Sequence, residues 1–330
     1  MKRTAALLEV LSIYLAAGAL EDKIISLMVH WQFAVPASPL DLLTAHATDA
    51  DLLLATRRLL LIWLLQYGSY FLLIIPLNWW YRRRGPAAYG LTRAGNTWGW
   101  LLSAGVTAAC LSECPVLIHS LVDTVHPLGA MAPWRQAFFD MSWRRWQFWL
   151  FAAVLSYAAV PVLEELLFRG YYQRRLAEDW GDGPAIVGTS CLFVFAHRQY
   201  LIPNAYNITM VASLFCLAAG LGIVFAYTRS LIPSMIAHAI INIPMTPGWQ
   251  LATLIAFVIG IVMTFRAGAL ATRTVFRHTA PAACVLLALI GTAYVIASQR
   301  MMFLSSVSII FLIIAIVLEW LERRRKVPAT

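Results

Sequence analysis

Charge is what this chain has least of. Asp, Glu, Lys and Arg make up 12% of its 330 residues, against about 25% in soluble proteins. Hydrophobic residues reach 61%, where roughly 45–50% is usual, and mean hydropathy is +0.72. Water cannot solvate most of such a surface, which excludes an ordinary soluble domain. The fold class that follows is all-α: a polytopic membrane helical bundle of about eight to ten transmembrane helices.

Other shortages narrow the reading further. There are five cysteines, Cys110, Cys114, Cys191, Cys216 and Cys284, an odd number scattered through apolar runs, so no disulfide framework is expected. Cys110 and Cys114 share a helix face at i,i+4, which leaves a weak metal or redox site open beside the plainer reading of small packing residues. No internal repeat is evident, so an inverted-repeat transporter gains no support. Lys2 and Arg3 precede an apolar run, but no small-residue cleavage site follows, and no separate secretory signal is expected. The net charge of +9 is dispersed in short clusters flanking hydrophobic runs, as membrane orientation requires. Nucleic acid is therefore not an expected partner, whereas membrane lipids are.

Apolar stretches run at 5–20 (with a continuation towards Val35 left open), 59–79, 98–121, 147–168, 184–201, 207–228, 231–246, 248–265, 281–298 and 302–320. With ten crossings and a cytosolic N-terminus, 17 of the 25 Lys and Arg fall on the cytosolic side. The positive-inside rule favours that arrangement, with both termini cytosolic, and eight crossings fit it too. The expected location is a multi-pass integral protein of a prokaryotic plasma membrane. Two longer polar connections lie at 36–57 and 122–146. The second interleaves Trp134, Arg135, Trp143, Arg144, Arg145 and Trp146, which suits an element lying in the headgroup region, with an RNA-binding patch as the competing reading.

Against this apolar background three polar signatures stand out: Glu164-Glu165-x-x-x-Arg169, Phe193-x-x-x-His197 and His238-x-x-x-Asn242. Ionisable groups at membrane depth are costly and usually face a protein or water-filled interior, where they serve a function. Adjacent helical residues point about 100° apart, so Glu164 and Glu165 are expected to do different things. Arg169 stands four residues after Glu165, the spacing of a facing ion pair, which makes Glu165 structural and turns Glu164 inward. The plainer alternative leaves both acids solvated at a cytosolic helix end. Pro161, three residues before Glu164, is expected to kink its helix and widen the space there. His238 and Asn242, also i,i+4, present an imidazole and a carboxamide roughly 6 Å apart along one helix face; alone, such a pair could be interhelical glue.

Together the signatures supply a hydrolytic site. A carboxylate and an imidazole can polarise a water, while a second imidazole and an amide can donate hydrogen bonds to a developing oxyanion. In order and separation they resemble the CPBP family (CAAX protease and bacteriocin-processing, including Abi-type proteins) of intramembrane glutamic endopeptidases. The run Glu164 to Tyr171 is similar to that family's first motif, Phe193 to His197 to its second, and Gly222, Arg229, Ser230, Leu231 and His238 to Asn242 to its third region. The resemblance covers roughly 147–247 and implies an endopeptidase acting at the membrane. It implies that Glu164 and His197 activate the water and that His238 and Asn242 stabilise the oxyanion, with Glu165, Arg169 and Phe193 in support and no cofactor. The chain then divides into an accessory transmembrane region 1–146, a catalytic core 147–247 and accessory C-terminal helices 248–330.

Two other readings stay open. Glu164, His197 and His238 form a two-His, one-carboxylate set that a zinc hydrolase could use, although no His-Glu-x-x-His helix is present and Asn242 would lack a task. A membrane adaptor, immunity protein or transporter could use the same polar residues to line a conduit or dock a partner. The expected partner of an enzyme is a membrane-associated protein or peptide, with prenylated, other lipid-linked and signal-like substrates all open. A water-accessible cavity opening to the cytosol is expected around the four residues.

Overall fold

The computed structural model describes residues 2–30, 48–81, 85–125, 155–197, 200, 205–242, 255, 313, 316 and 317. Among them all regular structure is helical and no strand occurs. The apolar stretches 248–265, 281–298 and 302–320 and the Trp/Arg connection 122–146 lie wholly or almost wholly outside the described residues.

The helices follow the apolar runs. They are α1 (Lys2–His30), α2 (Asp49–Pro76), α3 (Trp98–Val125), α4 (Val160–Glu165), α5 (Arg174–Trp180), α6 (Asp182–Ala196), α7 (Ala205–Thr228) and α8 (Leu231–Ile241). A π-helical turn, Leu77–Tyr81, extends α2. Another, Leu155–Ala159, precedes α4, and a longer π segment, Leu166–Gln173, joins α4 to α5. Among the described residues three helices are long and apolar enough to cross a membrane, over Lys2–Ile24, Leu61–Trp79 and Ala205–Thr228. Only 28% of the second window and 39% of the third are buried inside the protein. Leu64, Leu72 and Ile75 of α2 and Ile208 of α7 are exposed, apolar surface that suits lipid and not water. This is an integral membrane protein.

The stretch read as ending at residue 168 is longer than expected. Helix continues without a break from Leu155 to Trp180, carrying Arg169 and Arg175 into the protein interior at 1% and 4% exposure. Burial of those two cations is possible because each meets a buried carboxylate: Glu165 for Arg169, and Glu9 of α1 for Arg175. Periodic hydrophobicity alone cannot show that, since the partners come from other turns and other helices. The chain reverses at Gly181, whose φ of 86° is a conformation that side-chain-bearing residues rarely adopt.

Pro161 sits in the first turn of α4, directly after the π turn Leu155–Ala159. Proline gives no N–H to the preceding turn, and the wider π spacing takes up the irregularity there. The second π segment starts immediately after Glu165. Such segments are rare and recur at functional sites. α8 is short for defined reasons at its start. Arg229, at φ 55°, turns the chain out of α7, and the Ser230 hydroxyl accepts the Ile232 N–H to cap the new helix. α8 packs against α3, α7 and α4, while α6 packs on α7, α5 and the π segment. That arrangement encloses the carboxyl end of α4.

Candidate active site

Glu164 and Glu165 diverge as their helical positions require, yet both reach His238. Glu165 is fully buried, and its Oε1 accepts two donors: Arg169 Nη1 at 2.9 Å and His238 Nδ1 at 2.8 Å. Glu164, 12% exposed, places Oε2 3.7 Å from His238 Nε2. The imidazole carries its nitrogens on different edges, so one ring from α8 meets both acids of α4. The reading of both acids as solvated at a helix end is therefore corrected. Assigning Glu165 to Arg169 alone is incomplete, because the same oxygen also holds His238.

Arg169 is fixed from three sides. Besides Glu165, its Nη2 donates to the Ala218 carbonyl of α7 at 2.9 Å, and the guanidinium lies 5.0 Å over the Phe193 ring. The fork can satisfy a carboxylate and a carbonyl at once while stacking on an aromatic face, which an ammonium could not reproduce. Phe193 of α6 is itself buried, 5.1 Å from the Phe168 ring centroid, 6.0 Å from His238 and 4.6 Å from His197. It is the common wall of the cluster.

His197 is set by the way α6 ends. Its backbone N–H bonds to Val194 O at 3.0 Å, so the Phe193 carbonyl loses the N–H it would have received in a continued helix. The His197 ring takes over, with Nδ1 2.8 Å from Phe193 O. A carbonyl only accepts, so Nδ1 carries the proton and Nε2 keeps its lone pair in the neutral ring. By the same logic Nδ1 of His238 donates to the Glu165 carboxylate. Asn242 caps α8, its backbone N–H bonding to His238 O at 3.1 Å, one turn beyond the imidazole.

The structure thus gathers Glu164, Glu165, Arg169, Phe193 and His238 into one buried cluster with His197 against its Phe193 wall. Glu164 and His197 share no hydrogen bond or ion pair among the described residues. The residues Asn78, Tyr89, Gly170, Tyr171, Arg174 and Arg175 line a separate small cleft, to which none of the four candidate catalytic residues contributes. Among the described residues no group of three or more His, Cys, Asp or Glu is placed to hold a metal ion.

One participant was missed. Tyr67 of α2 is buried, and its hydroxyl donates to Glu164 Oε1 at 2.6 Å. In the sequence it sits in an aromatic-rich apolar run, Trp63 to Tyr70, where nothing separates it from a packing or interfacial tyrosine.

Residues 145–244 match the family described as type II CAAX prenyl endopeptidase Rce1-like. No curated protein and no solved structure matches the chain. The matched segment includes all three polar signatures and begins and ends within three residues of the 147–247 core expected from them. That family is one of proteases, hence hydrolases. The match of residues 145–244 to an Rce1-like domain is consistent with the CPBP family.

Proposed function

We propose that this protein is a metal-free intramembrane endopeptidase in which Glu164 and His197 activate a water, and His238 with Asn242 holds the oxyanion. The observation that carries the reading is the buried approach of Glu164 Oε2 to His238 Nε2 at 3.7 Å, inside the segment that matches a protease family. Glu164 takes a proton from water while the oxygen attacks the scissile carbonyl carbon. The resulting tetrahedral oxyanion receives hydrogen bonds from His238 Nε2 and the Asn242 amide. Collapse breaks the C–N bond and returns the proton to the leaving amine, giving a carboxylate and an amine.

The hydrogen bonds divide the histidines' labour. His197 spends its Nδ1 proton on Phe193 O and offers Nε2 as an acceptor to the water. His238 spends its Nδ1 proton on Glu165, so donation from Nε2 requires the doubly protonated ring. Aimed donors of this kind are worth about 10²–10³ in kcat.

The substrate class follows from the family description: a prenylated protein or peptide whose lipid-bearing cysteine lies close to a C-terminal cleavage site. Placement in a bundle of eight to ten helices, with cytosolic termini and a site opening to the cytosol, matches where such substrates would be. Regions 1–146 and 248–330 act as accessory helices to the 147–247 core. The test is cleavage of an internally quenched farnesylated CAAX-type peptide by the full-length protein in proteoliposomes. Glu164→Gln and His197→Ala should each lose at least ~10²-fold in kcat, and EDTA or 1,10-phenanthroline should leave the rate unchanged. Full activity in Glu164→Gln overturns the reading. Stoichiometric zinc with chelator-reversible loss overturns its metal-free part.

A further inference from the structure

We propose that Tyr67, from α2, is a positioning residue of this hydrolytic site: its hydroxyl engages Glu164 Oε1 and leaves Oε2 as the oxygen that receives the proton of water. The inference rests on the role given to Glu164 above.

A glutamate has three rotatable side-chain bonds and two equivalent oxygens, so burial alone does not say which oxygen meets the substrate. Here the two are made unequal. Oε1 accepts the Tyr67 O–H at 2.6 Å, the short distance of a hydrogen bond to an ionised acceptor. Oε2 is buried and has no hydrogen-bond partner among the described residues, with His238 Nε2 3.7 Å away. An unpartnered buried carboxylate oxygen is costly, and one aimed at a histidine that itself has a free edge is where a reacting water would be held. Tyr67 is well placed to keep it so. Its ring is 7% exposed and packs beside Tyr70, 6.4 Å between centroids. A tyrosine fixed by packing has few rotamers to lose, so its O–H works as a rigid stop for the longer glutamate.

The donor comes from outside the matched segment. Residues 145–244 supply the acid and α2 supplies the group that orients it, 97 residues away in sequence. Helix α2 is therefore part of the catalytic apparatus as well as a membrane span.

The experiment compares the full-length wild type, Tyr67→Phe, Tyr70→Phe and Glu164→Gln in proteoliposomes on the farnesylated CAAX-type peptide. Tyr67→Phe removes one oxygen and keeps the ring. A carboxylate free to swing by an ångström loses up to ~10²-fold in rate, so kcat should fall about 10- to 100-fold with KM unchanged within about two-fold. Its unfolding temperature should stay within about 5 °C of wild type, the scale of a single lost hydrogen bond. Tyr70→Phe should keep wild-type kcat. Wild-type kcat in Tyr67→Phe, a rise in KM with kcat preserved, or gross loss of folded protein would each overturn the assignment, the last two by showing a binding or packing role. If Glu164→Gln is inactive while Tyr67→Phe is not, only the tyrosine assignment falls. If Glu164→Gln is active, the reading beneath it falls as well.

Discussion

Replacing Arg169 with methionine should destabilise the protein far more than its single charge suggests. The guanidinium is 1% exposed and its partner Glu165 is fully buried, so water cannot take over when the cation goes. Removing one member of such a pair typically costs about 3–5 kcal/mol, mostly from the charge left behind. His238 Nδ1 still donates to the same Glu165 oxygen at 2.8 Å, which moderates the loss. Against that, the contacts to Ala218 O and the Phe193 face disappear too. A net cost near 3 kcal/mol corresponds to a fall of about 4 °C in unfolding temperature for a chain of this length. Intrinsic tryptophan fluorescence at a fixed scan rate in detergent would read it, because unfolding of such proteins is often irreversible. The decisive comparison is the double variant Arg169→Met with Glu165→Gln. If stranded charge is the cause, the double variant is more stable than Arg169→Met alone. A single variant within about 2 °C of wild type, or a double variant less stable than the single, would refute the reasoning.

Gly222→Ala should destabilise although a helix normally gains from the change. A Cβ there would lie 2.8 Å from Gln173 Oε1 and 3.1 Å from Ile186 Cγ2, and Gln173 cannot swing away without breaking its 2.8 Å bond to Gly222 O. Overpacking costs about 1–3 kcal/mol against roughly 0.5–1 gained, so melting should drop by a few degrees, and Gln173→Ala in the same chain should recover part of it. Between α1 and α5, Glu9 accepts from Tyr171 OH at 2.6 Å and Arg175 Nε at 2.8 Å. Arg175 also pairs with Asp179 at 2.7 Å, so Glu9→Ala does not strand it. Its cost should sit at or below the lower end of the ~3–5 kcal/mol range, and below that of Arg175→Met, which removes the cation facing the buried Glu9 carboxylate. Thermal unfolding of the two variants checks the order, and equal or reversed losses contradict it.

What could be read from the sequence was whatever lies within one helix. The apolar runs at 5–20, 59–79, 98–121, 184–201, 207–228 and 231–246 each fall on a helix, because hydrophobicity is summed over many residues, but α2 starts at Asp49, inside the stretch 36–57 read as a polar connection. The Glu165–Arg169 pair was legible because i,i+4 spacing forces it. Three features were not. The helix beyond residue 168 stays buried because Glu9, far away in sequence, neutralises Arg175. The bridging role of His238 depends on the approach of α8 to α4. The Tyr67 hydroxyl matters only because α2 brings it to Glu164. Each is a contact between helices, and one sequence contains no direct record of those.

The same contrast bears on how the site tolerates being in a membrane. Glu164, Glu165, Arg169 and His238 would be prohibitive one at a time in hydrocarbon. Their geometry spreads the cost: Arg169 offsets Glu165, His238 is shared by both acids, and Tyr67 covers one oxygen of Glu164. Glu164 Oε2, Glu165 Oε2 and Arg169 Nε nevertheless stay buried without a hydrogen bond among the described residues. Of the two carboxylate oxygens, the one on Glu164 faces an imidazole nitrogen, His238 Nε2, at 3.7 Å. An acceptor and a ring nitrogen that face each other at a distance too long for a direct hydrogen bond are the physical reason to read the pair as a site for a reacting molecule and not as helix-packing glue.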